Sequence, residues 1–127
     1  MSGVLEGLRV IEGSAFVAAP LGGMTLAQLG ADVIRFDQIG GGLDNTRWPL
    51  AENGQSLFWA GLNKGKRSIQ LDLRTEEGRE LVAALVTAPG DDAGLFLTNF
   101  PARSRAPPRA RGPPRCGGRV GSSACPC

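Results

Sequence analysis

The spacing of hydrophobic residues changes several times along the first hundred positions, as it does where strands and helices alternate. Residues 8–12 and 31–37 are apolar stretches of strand length, and Leu21, Met24 and Leu29 between them recur at approximately helical spacing. A proline near the start of this helical stretch and a glycine at its end favour helix initiation and termination. The pattern predicts a strand–helix–strand unit, whose right-handed crossover joins two parallel neighbours.

The second half of this region predicts four more elements. A polar loop at residues 43–55 precedes an apolar segment at residues 56–62, for which we expect a short helix. Residues 68–73 alternate between polar and apolar, as a half-buried strand does. Thr75 is placed as the N-cap of a second long helix, and residues 94–98 predict a last strand. The helix face expected to be buried consists of Leu81, Val82, Leu85 and Val86.

Strands that alternate with helices predict an α/β fold, with a mostly parallel sheet covered by helices. In such folds ligands bind beyond the carboxyl ends of the strands. We therefore expect a site on the loops that begin at Gly13, Gln38 and Asn99. Asn99 itself either bonds a ligand's polar edge or caps the strand end, and the capping role is slightly favoured.

The composition changes abruptly after residue 100. Residues 101–127 consist mainly of Pro, Arg, Gly, Ala and Ser, contain all three cysteines and lack acidic residues. The preceding hundred residues hold eight basic and 12 acidic side chains, net −4, and the remainder holds six arginines. The overall net charge of +2 therefore does not indicate that the folded part binds nucleic acid. We expect two parts, residues 1–103 and a disordered Arg/Pro/Gly-rich tail at residues 104–127.

Three explanations of this tail remain open. A disordered basic segment could bind RNA or an acidic surface, although it has no aromatic residue on which bases could stack. A processed linker is the second explanation. Translation of GC-rich coding sequence in the wrong frame is the third. It is favoured because it yields Arg, Pro, Gly, Ala, Ser and Cys while depleting Asp, Glu and large aliphatic residues.

Missing motifs disfavour several kinds of site. The chain contains no histidine, which excludes a Ser–His–Asp triad and leaves no ligand set for zinc. No G-x-G-x-x-G follows the first strand, which disfavours nicotinamide and flavin, and no P-loop motif occurs. No signal peptide and no apolar run of about 20 residues is visible. We therefore expect no metal, no membrane contact and a cytoplasmic location.

Charged and aromatic residues near the expected loops have two interpretations each. Lys64, Lys66 and Arg67 could hold phosphate groups, but a solvated basic turn is favoured. Asp37 is expected to be a solvated carboxylate at a strand end rather than a catalytic group. The two tryptophans are expected to be packing residues rather than binding platforms, at positions Trp48 and Trp59.

Four segments keep the order and spacing of a known family: residues 5–12, 20–35, 63–73 and 98–100. Together they resemble the amino-terminal region of the family III CoA-transferases, which include formyl-CoA transferase and a carnitine CoA-transferase. The resemblance extends over essentially all of residues 5–100. It implies an incomplete Rossmann-like parallel sheet with covering helices. It also implies a coenzyme A thioester as the substrate, with no permanently bound cofactor.

The resemblance further implies where CoA contacts lie. They fall on Val17 and Ala18 after the first strand, on Gln38 after the second, on the stretch of Leu71, Asp72, Leu73 and Arg74, and on Asn99 and Phe100 at the end of the last strand. Many relatives carry Gln where this chain has Val17, and Arg where it has Gln38. Both differences remove a polar contact to the ligand.

Within the family, the resemblance favours a branch that moves CoA between the carboxyl groups of mesaconate. The family uses an aspartate nucleophile to form covalent intermediates, and that aspartate lies well beyond residue 100. None of the chain's six aspartates matches its position: Asp32, Asp37, Asp44, Asp72, Asp91 and Asp92. We therefore expect no catalytic residue, no interlocked homodimer of the family's kind and no transferase turnover from these 127 residues.

Two functions of other classes remain as alternatives. The chain could be a standalone CoA- or nucleotide-binding module, which would bind CoA without turnover. It could also be a nucleic-acid-associated protein that uses the arginine tail, in which case binding would weaken steeply with salt.

Overall fold

The computed structural model describes residues 3–91 and 94–101. Strands and helices alternate strictly in these parts of the chain. They are β1 (Arg9–Gly13), α1 (Ala18–Gln28), β2 (Asp32–Asp37), α2 (Leu57–Leu62), β3 (Arg67–Gln70), α3 (Glu76–Thr87) and β4 (Leu95–Thr98). None of the helices in these ranges is long and apolar enough to cross a bilayer. The boundary predicted at residue 103 and the tail predicted to be disordered lie outside the described residues.

The four strands form one parallel sheet in the order β3-β2-β1-β4. β1 lies inside the sheet, where Val10 is opposite Val33 of β2 and Leu95 of β4. Because all strands run the same way, their carboxyl ends lie along one side of the sheet, here named the carboxyl edge. The predicted α/β fold with a parallel sheet is confirmed.

Helices α1 and α3 cover opposite faces of the sheet, because successive residues of a strand point to opposite sides. Val10 belongs to the core on the α1 side and Ile11 to the core on the α3 side. The first core contains Val10, Ala31 and Val33, packed against Leu5, Leu8, Leu26, Ala27 and Leu97. The second contains Ile11, Phe36 and Leu71, packed against Ile34, Leu73, Val82, Leu85 and Val86. The sheet is therefore the middle of three layers.

The buried side of α1 differs from the predicted stripe. Leu21 and Leu29 are exposed, while the fully buried positions of the helix are small, as at Ala19 and Gly23. The reason is a close approach between the helix and β1. A Cβ atom at Gly23 would lie 1.7 Å from Oε2 of Glu12, so any side chain at this position would displace the buried carboxylate. The helix packs on a buried carboxylate, which a search for large apolar residues could not anticipate.

β3 is shorter than the alternating pattern predicts. The pattern extends over residues 68–73, but the strand ends at Gln70. The N–H of Leu71 still donates to the carbonyl of Asp37 at 2.9 Å, and the Leu71 side chain enters the α3 core. The chain then turns to begin α3, so the helix start sets the end of the strand.

α3 begins after Thr75, as predicted. The Thr75 hydroxyl accepts a hydrogen bond from the Gly78 N–H at 3.0 Å, which is the bond that an N-cap makes. Val82, Leu85 and Val86 pack on the core as expected. Leu81 is 47% exposed, so its predicted burial is wrong.

Thr75→Ala should lower the free energy of unfolding by about 1 kcal/mol, because the Gly78 N–H loses its acceptor. Thr75→Ser keeps a hydroxyl and should recover most of this loss. Thr87→Ala is the matched control, since the Thr87 hydroxyl donates to the Ala83 carbonyl inside the same helix and caps no free N–H. Denaturant titration gives the three values. Equal losses for Thr75→Ala and Thr87→Ala would contradict the capping role.

Candidate functional site

A small cavity opens at the carboxyl edge, on the side of the sheet where the strand order predicts a site. Its volume is about 100 Å³. Its walls combine aromatic and aliphatic side chains with a hydroxyl, a carboxylate and an amide. The lining residues are Ser14, Ala15, Phe36, Asp37, Gln38, Gly41, Gly42, Leu43, Leu73 and Phe100. The segments at the ends of all four strands therefore contribute to one cavity.

A buried guanidinium lies beside this cavity. Arg35 of β2 is 1% exposed, and it donates to both carboxylate oxygens of Asp37 at 2.9 and 3.0 Å. It also donates to Oδ1 of Asp44 at 3.1 Å and to Oδ1 of Asn63 at 2.9 Å. Burial by itself lowers the pKa of Arg35. The hydrogen bond and charge of Asp37, helped by Asp44 and Glu12, outweigh burial and raise the pKa above its ordinary value.

A second buried cation, Lys66, lies in the turn between α2 and β3. Its Nζ donates to Oε1 of Glu12 at 2.9 Å, to Oδ1 of Asn63 at 2.9 Å and to the Pro20 carbonyl at 2.8 Å. Burial lowers the pKa of the Lys66 ammonium, and the hydrogen bond and charge of Glu12 oppose that shift. Glu12 is opposite Arg35 in the β1–β2 register, so one carboxylate faces both cations.

Asp44 joins the loop after β2 to the turn after β1. Its side chain is fully buried, and its Oδ2 accepts a hydrogen bond from the Phe16 N–H at 3.1 Å. Phe16 has φ of 66°, a left-handed conformation that costs a non-glycine residue roughly 1–2 kcal/mol. The bond to Asp44 helps to offset this cost. Close packing continues at Gly42, where a Cβ atom would lie 2.6 Å from Oδ1 of Asp37.

Asn99 joins the end of β4 to the same turn. Its Nδ2 donates to the Ala15 carbonyl at 2.7 Å, and its Oδ1 accepts from the Ala15 N–H at 3.0 Å. Both polar atoms of the side chain are therefore engaged with the backbone of the turn after β1, rather than with the end of β4 itself. A direct contact between Asn99 and CoA stays a prediction.

The CoA contacts expected from the resemblance lie around the carboxyl edge in three groups. Gln38, Leu73 and Phe100 line the cavity. Leu71 and Asp72 border a shallower groove beside the start of α3. The remaining residues do not line the cavity: Val17 and Ala18 at the start of α1, Arg74 in the turn before α3, and Asn99. All nine assignments stay predictions.

Two expectations about charged residues are wrong. Asp37 is buried at the end of β2 and bonded to Arg35, rather than solvated. Lys66 is not part of a solvated turn, since its side chain is 2% exposed and paired with Glu12. The other two basic residues of this stretch, Lys64 and Arg67, are exposed as expected.

The two tryptophans differ. Trp48 is 78% exposed, so its expected packing role is wrong. Trp59 is half-buried, and the guanidinium carbon of Arg35 lies 5.7 Å from its ring centroid. Trp59 therefore packs against the buried ion cluster, as a packing residue should.

Sequence reasoning missed the residues that hold the carboxyl edge together, which are Glu12, Arg35 and Asp44. A signal existed for two of them. Glu12 and Arg35 interrupt apolar strands with opposite charges, and strands of this length bury charges only when they are paired. Asp44 gave no signal, because an aspartate in a polar loop is ordinary.

Comparison with known proteins gives a family match over most of the chain. Residues 5–106 match the model of CoA-transferase family III. The chain is 73% identical to the 2-methylfumaryl-CoA isomerase of Chloroflexus aurantiacus over 104 residues, which cover 81% of this chain and 25% of that protein. It is 36% identical to the succinyl-CoA:mesaconate CoA-transferase of Haloarcula hispanica, over 79% of this chain and 25% of that protein.

The fold is also similar to the folds of solved structures. A CAIB/BAIF family protein from Brucella suis superposes with a TM-score of 0.60 at 42% identity, over 68% of this chain and 24% of that chain. The chain therefore spans about a quarter of the length of the relatives that it matches.

Removing one member of the Glu12–Lys66 pair should lower the free energy of unfolding by about 3–5 kcal/mol, because the other charge is then buried without its partner. This applies to Glu12→Gln and to Lys66→Met. The double variant leaves no unpaired charge and should recover much of the loss. Thermal or denaturant unfolding of all four proteins measures the coupling. If the double variant loses as much unfolding free energy as the two single variants together, the pair is not coupled.

Proposed function

The chain belongs to CoA-transferase family III, and from this premise we propose that residues 1–103 are the CoA-binding part of a transferase that moves CoA between the carboxyl groups of mesaconate. The 73% identity to a 2-methylfumaryl-CoA isomerase supports this substrate, since mesaconate is 2-methylfumarate. The chain's share of the relatives' length supports assigning it one part of the enzyme rather than the whole.

The observation that carries the proposal is the cavity at the carboxyl edge. Three of the expected CoA contacts, Gln38, Leu73 and Phe100, come from three different strand ends and line it together. Its volume of about 100 Å³ is well below the roughly 300–1,000 Å³ of typical small-molecule sites. These residues would therefore enclose one portion of a molecule as large as CoA, and the remainder would extend over the surface.

The charges at this edge support a ligand other than a dinucleotide. Asp37 ends β2, which is where dinucleotide enzymes carry the carboxylate that binds a ribose hydroxyl. Here both oxygens of Asp37 accept hydrogen bonds from Arg35. The paired carboxylate repels an anionic ligand less than a free one does. This arrangement agrees with the missing glycine fingerprint and with a ligand that carries several phosphates.

The remaining parts of the proposal concern the longer protein. The aspartate nucleophile is assigned to a segment outside these residues, and acyl-CoA is a transient substrate rather than a resident cofactor. The complete transferase is assigned to the cytoplasm and to the interlocked homodimer of its family.

The purified 127-residue chain should bind CoA, and Phe100→Ala should weaken binding about tenfold, because the loss of a buried apolar contact of about 1.4 kcal/mol corresponds to that factor. Leu95→Ala is the matched control. It removes an exposed apolar side chain at the start of β4, away from the carboxyl edge, and should leave affinity unchanged. Isothermal titration calorimetry measures both. No CoA binding by the unsubstituted chain would refute the proposed site.

The same chain should show no CoA transfer between the carboxyl groups of mesaconate, because none of its aspartates is assigned as the nucleophile. The measurement is product formation from mesaconyl-CoA, followed by chromatography over hours. The 2-methylfumaryl-CoA isomerase of Chloroflexus aurantiacus serves as the positive control. Turnover by the purified chain would show that a catalytic group lies within it.

A further inference from the structure

An exposed guanidinium is held between two aromatic rings next to the proposed CoA site. The guanidinium carbon of Arg47 lies 5.6 Å from the ring centroid of Phe16 and 4.6 Å from that of Phe58. A cation over an aromatic face is attracted by the ring's electron distribution. The backbone is fixed as well, since the Arg47 N–H donates to the Asp44 carbonyl and its carbonyl accepts from the Ser56 hydroxyl. The position of this cation is therefore set before any ligand arrives.

Arg47 has no acidic partner among residues 3–91 and 94–101. Two other arginines are differently placed. Arg35 is bonded to two aspartates, and Arg67 pairs with Asp32 at the amino ends of β3 and β2, on the opposite side of the sheet from the carboxyl edge. The Asp44 carboxylate, three residues before Arg47, is committed to Arg35 and to the Phe16 N–H. The donors of the Arg47 guanidinium are thus available to an outside anion.

We propose that Arg47 binds the free carboxylate of a dicarboxylic acyl group attached to CoA, an inference that rests on the proposed function. A guanidinium matches a carboxylate with two parallel hydrogen bonds, which fixes orientation as well as charge. The acyl groups in the names of both similar enzymes, 2-methylfumaryl and succinyl, carry such a second carboxylate.

The position of Phe16 connects Arg47 to the CoA site. Phe16 follows Ala15, which lines the cavity, and precedes Val17, an expected CoA contact. A carboxylate held at Arg47 therefore lies beside the turn that the CoA portion is expected to cross. The two rings shield the guanidinium from part of the surrounding water, which strengthens a charged pair. Arg47 acts in this way as a specificity-determining residue that distinguishes dicarboxylic from monocarboxylic acyl groups.

The test compares succinyl-CoA with butyryl-CoA, which has the same acyl length and a methyl group in place of the carboxylate. Calorimetry on the 127-residue chain gives both affinities for the unsubstituted protein and for Arg47→Gln, Arg47→Lys and Arg67→Gln. Arg47→Gln should weaken succinyl-CoA about 10- to 100-fold, the range for a hydrogen bond to a charged group, and leave butyryl-CoA unchanged. Arg47→Lys keeps the positive charge but cannot make two parallel hydrogen bonds to a carboxylate. It should therefore cause a smaller loss of affinity, for succinyl-CoA alone. Arg67→Gln should change neither affinity.

The ratio of the succinyl-CoA affinity to the butyryl-CoA affinity distinguishes recognition of the carboxylate by Arg47 from a general effect of the substitution on packing. If Arg47→Gln and Arg47→Lys weaken both thioesters equally, or neither, the assignment of Arg47 is overturned while the CoA site stands. If the unsubstituted chain binds neither thioester nor CoA, the proposed function fails, and the assignment of Arg47 fails with it. Thermal unfolding of each variant confirms that the affinities compare folded proteins.

Discussion

The carboxyl edge depends on one buried guanidinium. Arg35 reaches from β2 to Asp37 at the end of its own strand, to Asp44 in the following loop and to Asn63 at the end of α2. A charge in this position is costly to bury unless its donors are satisfied, so each acceptor is needed where it is. The same requirement fixes two connecting segments relative to the sheet, which are the loop after β2 and the end of α2. The ion cluster therefore helps to position the walls of the cavity, together with Phe36 and Leu73, which line the cavity and belong to the core on the α3 side.

A second set of bonds extends this framework to the turn after β1. Asp44 holds the Phe16 N–H, and Asn99 holds both backbone groups of Ala15. That turn separates the cavity from the ring-bound guanidinium of Arg47. On one side of this turn the carboxyl edge forms a cavity with aromatic, aliphatic and polar walls. On the other side it presents the positive charge of Arg47. This division suits a thioester whose two ends differ in chemistry, with the CoA portion on one side and a dicarboxylic acyl group on the other.

The order of elements could be predicted because it follows from local periodicity. The change from strand to helical spacing around Leu21 and Met24 and the cap at Thr75 each depend on neighbouring residues only, and the parallel sheet and the family were predicted correctly. The buried ions could not be predicted in this way. Lys66 looks like part of a solvated turn until β1 brings Glu12 beside it, and this pair is 54 residues apart in the chain. The small face of α1 has the same origin, since a larger residue at Gly23 would displace the Glu12 carboxylate, which lies on a different element.

Hydrogen exchange of the purified 127-residue chain, with and without saturating CoA, tests most directly whether the carboxyl edge is a CoA site. We expect slower exchange on CoA addition in residues 13–18, 38–44 and 98–101, which lie at and after the carboxyl ends of β1, β2 and β4. No change is expected in the C-terminal half of α3, at residues 81–87. Unchanged exchange after the strands, or protection confined to α3, would contradict a CoA site at the carboxyl edge.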